Sequence, residues 1–173
     1  MADEINLSRR RIFARLAKSS EKKRPSTPRA RPRPPSAVDE LLFITSCRGC
    51  GDCAADCPNE VIDLYQGTAW VNLDFNQCAM CGKCVEACPT GALHSALPMR
   101  IDLQPSFSTN CNNYLQMDCS ACQQACPLQA ISIEEGELPV VNSERCNGCG
   151  QCRSHCYMGV ISMIYSDAFL PKN

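Results

Sequence analysis

The cysteines are the residues of this chain whose type and spacing could do chemistry. The chain has 173 residues, of which 16 are cysteine. The spacing C-x2-C-x2-C-x3-C-P occurs in full at residues 47–58 and again at residues 78–89. Three thiolates spaced in this way let a tight loop wrap one [4Fe-4S] cluster, and the proline steers the fourth thiolate towards a second cluster. The spacing therefore predicts iron-sulphur chemistry.

All sixteen cysteines fall into four runs of this kind. Runs 1 and 2 are complete, run 3 is longer between its first two cysteines, and run 4 has Tyr157 where the proline is expected. In chain order the runs are Cys47, Cys50, Cys53 and Cys57; Cys78, Cys81, Cys84 and Cys88; Cys111, Cys119, Cys122 and Cys126; and Cys146, Cys149, Cys152 and Cys156. Because this number of thiolates fills four [4Fe-4S] clusters, we expect Cys111 to be a ligand. A buried thiol that binds no metal is the alternative for Cys111.

Zinc sites and disulfides also use closely spaced cysteines. A structural zinc ion takes four ligands, typically as two separated pairs, so the third cysteine of each run would have no role. A disulfide framework needs an oxidising compartment, which is usually reached through a cleavable apolar segment, and residues 1–40 contain no such segment. The pattern favours clusters over both alternatives.

Two pairings of the runs are open, because the fourth cysteine of each run binds the cluster of its partner run. The cysteines are displaced by 31 residues between runs 1 and 2, and mostly by 30 between runs 3 and 4, which favours pairing of neighbouring runs. The alternative pairs run 1 with run 4 and run 2 with run 3. Neighbour pairing gives set A (Cys47, Cys50, Cys53, Cys88), set B (Cys78, Cys81, Cys84, Cys57), set C (Cys111, Cys119, Cys122, Cys156) and set D (Cys146, Cys149, Cys152, Cys126).

A short apolar segment with β-prone residues follows each cysteine run. Two of these segments lead through a glycine into a second apolar segment, which predicts hairpins within 61–73 and 130–141. We expect an α+β fold, rich in loops, with two tandem bacterial-ferredoxin-like modules that each hold two [4Fe-4S] clusters. The expected domains are a basic, Pro-rich arm (1–38), module 1 (39–98) and module 2 (99–173).

The expected arm differs from the rest of the chain in charge. Residues 1–38 carry a net charge of +8 and the remainder carries −9. Residues 21–36 contain five prolines and no apolar period, so we expect disorder there. The acidic remainder argues against nucleic-acid binding.

No stretch approaches the roughly 18 apolar residues of a membrane span, and we find no catalytic motif that would indicate an enzyme.

The whole chain resembles the NapF family, the ferredoxin-type accessory proteins of periplasmic nitrate reductase systems. The resemblance rests on SRRRIF at 8–13, on the four cysteine runs with a stretched third run, and on RCNGCGQC at 145–152. It implies a cytoplasmic protein that contacts the catalytic molybdenum subunit of nitrate reductase and helps it mature, at its iron-sulphur stage, before export. An electron carrier and a structural cluster-holding module are the alternatives.

The SRRRIF segment is also similar to a twin-arginine export motif. The apolar stretch that such a signal needs is replaced by LAKSSEKKRP, so we expect the protein to stay in the cytoplasm. A maturation factor must recognise its client, and the arm is distinct in charge and free of cysteines. We therefore expect its arginines to meet an acidic surface of the partner; they are Arg9, Arg10, Arg11 and Arg15.

Overall fold

The computed structural model describes residue 29 and residues 31–166, in which short helices and strands are joined by loops. The helices of this part are α1 (Glu40–Ser46), α2 (Asp52–Ala55), α3 (Lys83–Glu86), α4 (Ala121–Gln124) and α5 (Gln151–Ser154). Its strands are β1 (Ile62–Tyr65), β2 (Thr68–Val71), β3 (Leu103–Phe107), β4 (Ile131–Ser132), β5 (Val140–Val141) and β6 (Ile161–Tyr165). This mixture of short elements in a loop-rich chain agrees with the expected fold class.

The two predicted hairpins are present. Strands β1 and β2 pair antiparallel from Ile62–Val71 to Tyr65–Thr68, and the turn between them has positive φ at both Gln66 and Gly67. Two successive positive φ angles match the twist of a tight hairpin. Strands β4 and β5 form the second, shorter hairpin. The hydrophobic alternation and the turn glycines were sufficient to locate both.

The third sheet joins segments that are distant in sequence. Strand β3 pairs antiparallel with β6, from Leu103–Tyr165 to Phe107–Ile161. An isolated bridge between Ala37 and Leu93 makes the corresponding connection earlier in the chain. Each half of the described chain, 31–98 and 99–166, therefore has a leading segment that pairs with its closing segment.

Helix α1 precedes run 1 and sets the position of its first cysteine. The Asp39 side chain caps the helix by accepting a hydrogen bond from the Leu41 N–H at 3.2 Å. At the other end, the Cys47 N–H donates to the Phe43 carbonyl at 2.8 Å. Phe43 is fully buried, so the helix is fixed to the core by its one inward aromatic side chain.

Residues 31–36 are packed against the rest of the first half, and the prediction of disorder is wrong for them. Arg33, Pro34, Pro35 and Ser36 are buried. Backbone hydrogen bonds tie this segment to later parts of the chain; they run from Val71 N to Pro32 O (2.8 Å) and from His94 N to Ser36 O (2.9 Å). The segment is ordered because its partners are supplied from remote positions rather than by its own apolar pattern. The rest of the arm, residues 1–28 and 30, lies outside the described residues.

Buried thiols make up a substantial part of the core. In the first half, Cys53, Cys78 and Cys84 pack in one cluster with Phe43, Val61 and Val71, and Ile101 from the second half joins this cluster. In the second half, Cys122 and Cys152 pack with Ile131 and Ile161. Helix α2 packs on α3, and α4 packs on α5. Any group that these thiols bind therefore becomes part of the packed core.

Candidate iron-sulphur centres

The third cysteine of each run lies on a short helix. Helices α2, α3, α4 and α5 each have four residues, with a cysteine in second place. These cysteines are Cys53, Cys84, Cys122 and Cys152, and each is 7–8% exposed. A left-handed glycine precedes α2, α3 and α5, whereas Ser120 with φ −127° precedes α4. The chain thus turns sharply before three of the helices and approaches α4 along a different path.

Two glycines of the cysteine loops lie where no side chain fits. Gly49 has φ +62°, and a Cβ atom there would lie 2.5 Å from the carbonyl oxygen of Gly67 in the β1–β2 turn. Gly148 has φ +75°, and its Cβ would collide with the carbonyl oxygens of Ile101 and Leu103. Both glycines allow a cysteine loop to lie directly on a neighbouring backbone.

Three of the ligand sets each line a cavity. The four thiols of set A surround a space that is otherwise lined mainly by apolar side chains, among them Phe43, Leu64 and Leu93. Set B and set C line two further cavities in the same way. The atom-free space, including open solvent, is similar in all three: about 340, 330 and 360 Å³ for sets A, B and C. Each cavity combines three cysteines of one run with the fourth cysteine of the neighbouring run.

The thiols of set D are brought together as well. Burial raises the pKa of Cys146 and of Cys149, and the nearby charge of Cys126 adds to the rise in both cases. Cys126 also packs against the buried cluster that contains Cys152 of run 4, which agrees with the neighbour pairing. The cavities of sets A, B and C do not follow the alternative pairing, run 1 with run 4 and run 2 with run 3.

Because the thiols are buried and their charges would repel one another, most of those with a shifted pKa ionise less readily than a free cysteine when no cation is present. Burial raises the pKa of Cys53 to about 11, with Cys47, Cys50 and Cys88 adding to the effect. Burial and neighbouring cysteines likewise raise the pKa of Cys84 and of Cys152 to about 12. For Cys88, hydrogen bonds from nearby backbone groups and Thr90 outweigh burial and lower the pKa. The buried thiols become stable thiolates only beside positive charge, which the iron of a cluster supplies.

The geometry fits a cluster better than a single ion. Within residues 29 and 31–166, no three His, Cys, Asp or Glu side chains converge closely enough to hold one metal ion. A zinc ion would require four sulphurs at about 2.3 Å from one point. A [4Fe-4S] cluster is larger, and its ligands surround a space instead of a point. Sets A, B and C surround such a space.

The long loop of run 3 is anchored to the neighbouring hairpin. Asn113 is buried, and its Nδ2 donates to the carbonyls of Glu134 and Glu137, both at 2.7 Å. The Leu115 N–H donates to the carbonyl of Cys111 at 3.0 Å. These contacts fold the extra residues back and leave the Cys111 thiol facing Cys119 and Cys122 in the set C cavity.

Tyr157 has a role that the sequence did not indicate. This residue stands where the proline is expected, and its hydroxyl accepts a hydrogen bond from Asn112 Nδ2 at 2.6 Å. The same hydroxyl donates to Cys119 Sγ at 3.9 Å. The residue therefore joins the end of run 4 to the long loop of run 3 across set C. The only signal in the sequence is that both runs of this half are irregular. Run 3 is longer between its first two cysteines, and run 4 lacks the proline after its last cysteine.

The predicted partner-binding arginines, Arg9, Arg10, Arg11 and Arg15, lie outside the described residues. Among the residues that are described, no helix has the length and apolar character needed to cross a membrane.

Comparison with known proteins identifies the family. A family model described as a 4Fe-4S dicluster domain matches residues 46–93, which contain runs 1 and 2. A second, described as the LdpA Fe-S cluster-binding domain, matches residues 116–166, which contain runs 3 and 4 except Cys111. The ferredoxin-type protein NapF of Escherichia coli (strain K12) is 33% identical over 141 residues, which cover 79% of this chain and 86% of NapF. The chain belongs to the NapF-like ferredoxin-type proteins.

Two other relatives show the range of this family. An uncharacterised protein of Haemophilus influenzae is 45% identical to this NapF-like chain over 131 residues, 76% of each. The methylamine utilization ferredoxin-type protein MauM of Paracoccus denitrificans is 35% identical over 150 residues, which cover 73% of this chain and 67% of MauM. The resemblance to NapF is thus confirmed, and so is the predicted cofactor: this NapF-like protein is an iron-sulphur protein of the [4Fe-4S] type.

Proposed function

We propose that sets A, B, C and D each hold one [4Fe-4S] cluster, with all sixteen cysteines as ligands. The observation that supports this assignment is the convergence of three cysteines from one run and one from its neighbour on the cavities of sets A, B and C. The raised pKa values support it too, because buried thiols that repel one another need a positively charged partner. Two tandem two-cluster modules follow from this ligand assignment.

We infer that the protein is an accessory factor rather than an enzyme. Its proposed role is to bind the catalytic molybdenum subunit of periplasmic nitrate reductase in the cytoplasm and to assist its iron-sulphur maturation before export. The similarity to NapF over most of both chains carries this proposal. Recognition is assigned to the basic arm, whose arginines would steer the protein towards an acidic surface.

Electron transfer to a redox enzyme is the second candidate function. It is favoured by the exposure of Cys50 in set A and Cys81 in set B, because an exposed ligand brings a cluster close to a docked partner. The similarity to MauM, which is named for methylamine utilization and not for nitrate reduction, is equally compatible with a carrier.

Purification from anaerobic cytoplasm with a tag on this chain distinguishes the two. For the maturation role we expect the unexported nitrate reductase subunit to copurify, and deletion of this protein to leave that subunit short of its own cofactors. If the subunit never associates, and remains fully loaded after the deletion, the maturation role is wrong. Slower reduction of a redox enzyme in the deletion strain would then support the carrier role.

A further inference from the structure

Run 2 and run 4 are hydrogen-bonded to each other although they belong to different halves of the chain. The Cys78 N–H donates to the carbonyl of Cys149 at 2.8 Å. Cys78 belongs to set B and Cys149 to set D. The two thiols are therefore connected by their own side chains, one backbone amide and one carbonyl, with no other residue between them.

Contacts around this hydrogen bond hold the two halves in register. Nη1 of Arg153, on helix α5, donates to the carbonyls of Leu73 at 2.7 Å and Asp74 at 2.5 Å. Gly150 lies against Leu73, where a Cβ atom would be 3.1 Å from the Leu73 Cδ1. Within the second half, the Ile101 N–H donates to the Asn147 carbonyl at 2.8 Å, and Ile101 itself packs in the buried cluster that contains Cys53, Cys78 and Cys84. Run 4 is thus held against Leu73 and Asp74 of the first half.

Within each half, the two sets are neighbours through their helices. Helix α2 with Cys53 of set A packs on α3 with Cys84 of set B, and both thiols lie in one buried cluster. Helix α4 with Cys122 of set C packs on α5 with Cys152 of set D in a second buried cluster. The cavity of set A is lined by residues 43–93 alone, and that of set C by residues 107–161 alone.

We propose that the four sites form one ordered path, A–B–D–C, in which electrons cross between the halves at the Cys78–Cys149 hydrogen bond and Arg153 is the positioning residue. In each step one reduced cluster loses one electron and its neighbour gains it, with no bond made or broken. The first electron comes from a one-electron reductant. The proposal rests on the four ligand sets proposed above, but it does not depend on which partner the protein serves.

The test uses the full chain with chosen sites removed and compares electron paramagnetic resonance spectra after reduction by dithionite. The variant Cys47→Ala/Cys50→Ala/Cys111→Ala/Cys119→Ala retains sets B and D; Cys78→Ala/Cys81→Ala/Cys146→Ala/Cys149→Ala retains sets A and C. Each should hold about 8 Fe, the content of two clusters. We expect spin–spin splitting in the first variant and its loss in the second. If the first variant holds about 8 Fe and still gives two signals without spin–spin splitting, the proposed order is wrong.

A single substitution tests the crossing point without removing any cysteine. Arg153→Gln should narrow the spectrum of the reduced four-cluster protein by weakening the interaction between sets B and D. Arg145→Gln is the matched control, because Arg145 is exposed, lies in the same half and takes no part in the contacts described above. If both variants keep their iron and give the same spectrum as the unmodified protein, Arg153 does not position the sites. A loss of iron in Arg153→Gln would show that Arg153 is needed for cluster binding itself, and would overturn its assignment as a residue that only positions intact sites.

Discussion

Arg33 and Glu40 form a buried bidentate ion pair, with Arg33 Nη2 2.7 Å from Glu40 Oε1 and Arg33 Nε 3.1 Å from Glu40 Oε2. Arg33 also donates to the Ala69 carbonyl at 2.9 Å and lies 4.7 Å above the Phe43 ring. The pair therefore joins the Pro-rich segment, helix α1 and strand β2. It makes the segment before residue 38 part of the structure that supports set A.

Removal of Arg33 should destabilise the first half, because Glu40 would remain buried without its main partner. For Arg33→Ala we expect a cost of about 3 kcal/mol, which lowers the unfolding midpoint of a chain of this size by roughly 6 to 12 °C. Anaerobic thermal unfolding of the cluster-loaded protein measures this shift. Replacing both partners, as Arg33→Met with Glu40→Leu, should cost less than the single change.

Arg31→Ala is the matched control for that experiment. Arg31 lies over the rings of Tyr65 at 3.8 Å and Trp70 at 4.5 Å, an arrangement worth about 0.5 to 1 kcal/mol at exposed sites. Equal destabilisation by Arg31→Ala and Arg33→Ala would show that the buried ion pair has no special importance.

Cys111 should be a cluster ligand in spite of its distance from Cys119 in the sequence. Because four ligands are needed for each cluster, Cys111→Ala is expected to lower the iron content from about 16 to about 12 Fe per chain. Iron and acid-labile sulphide analysis of anaerobically purified protein measures the change. Asn110→Ala, at an exposed neighbouring position, should leave the iron content unchanged. An unchanged content in Cys111→Ala would identify Cys111 as a buried thiol without a metal.

Removal of the clusters should cause the chain to lose most of its ordered structure. Buried thiols are part of both buried clusters, and metal binding then supplies energy that apolar packing does not. Circular dichroism of a chelated, fully reduced sample tests this expectation. A cooperative thermal transition in that sample, comparable to that of the loaded protein, would contradict it.

Any order that survives without clusters should weaken at alkaline pH. The pKa of Cys84 and of Cys152 is raised to about 12 by burial and neighbouring cysteines, from an ordinary value of 9.0. The unfolded chain therefore ionises first as the pH rises. The contribution of these two neutral thiols to the stability of the folded chain is fully present below pH 9 and is lost as the pH approaches about 12. The loaded protein, whose thiolates are bound to iron, should not follow this profile.

The basic arm should determine association with the nitrate reductase subunit. We expect replacement of Arg9, Arg10, Arg11 and Arg15 by Ala to slow association, with a larger effect at low salt, because surface charges mainly change the association rate. Binding kinetics at two ionic strengths measure this. A variant with Lys18, Lys22, Lys23 and Arg24 replaced by Ala removes the same charge from the same arm. Equal effects of the two variants would show that total charge, and not the SRRRIF segment, governs recognition.

The proposed cytoplasmic location can be tested with the arm alone. A reporter fused to residues 1–40 should remain in the cytoplasm, because these residues contain no long apolar stretch after the arginines. Cell fractionation with and without the twin-arginine export machinery measures the outcome. Export that depends on this machinery would refute the cytoplasmic assignment.

The sequence was informative wherever short-range rules apply. The spacing of run 1 and run 2 identified the thiols that lie together, and Gly67 with the alternating residues around it located the first hairpin. These features depend on residues a few positions apart. The displacement of 31 residues between the runs also predicted the neighbour pairing, which the cavities of sets A, B and C support.

Long-range contacts could not be predicted from the same patterns. Residues 31–36 have the composition of a disordered segment, yet Arg33 is buried because Glu40, Thr68 and Ala69 supply its partners. The pairing of β3 with β6 likewise joins residues about sixty positions apart. Arg153 has no spacing signal at all, since its acceptors are the carbonyls of Leu73 and Asp74 in the other half.

The pairing of leading and closing segments has a consequence for how such a chain can evolve. In each half the chain enters and leaves at the same place, at Ala37 and Leu93 in the first and at β3 and β6 in the second. A unit whose two ends are neighbours can be copied and joined head to tail by a connector of a few residues, without rebuilding its interior. Duplication of one gene segment is then sufficient to double the number of redox centres, and the contact between copies becomes the place where selection can act on their coupling.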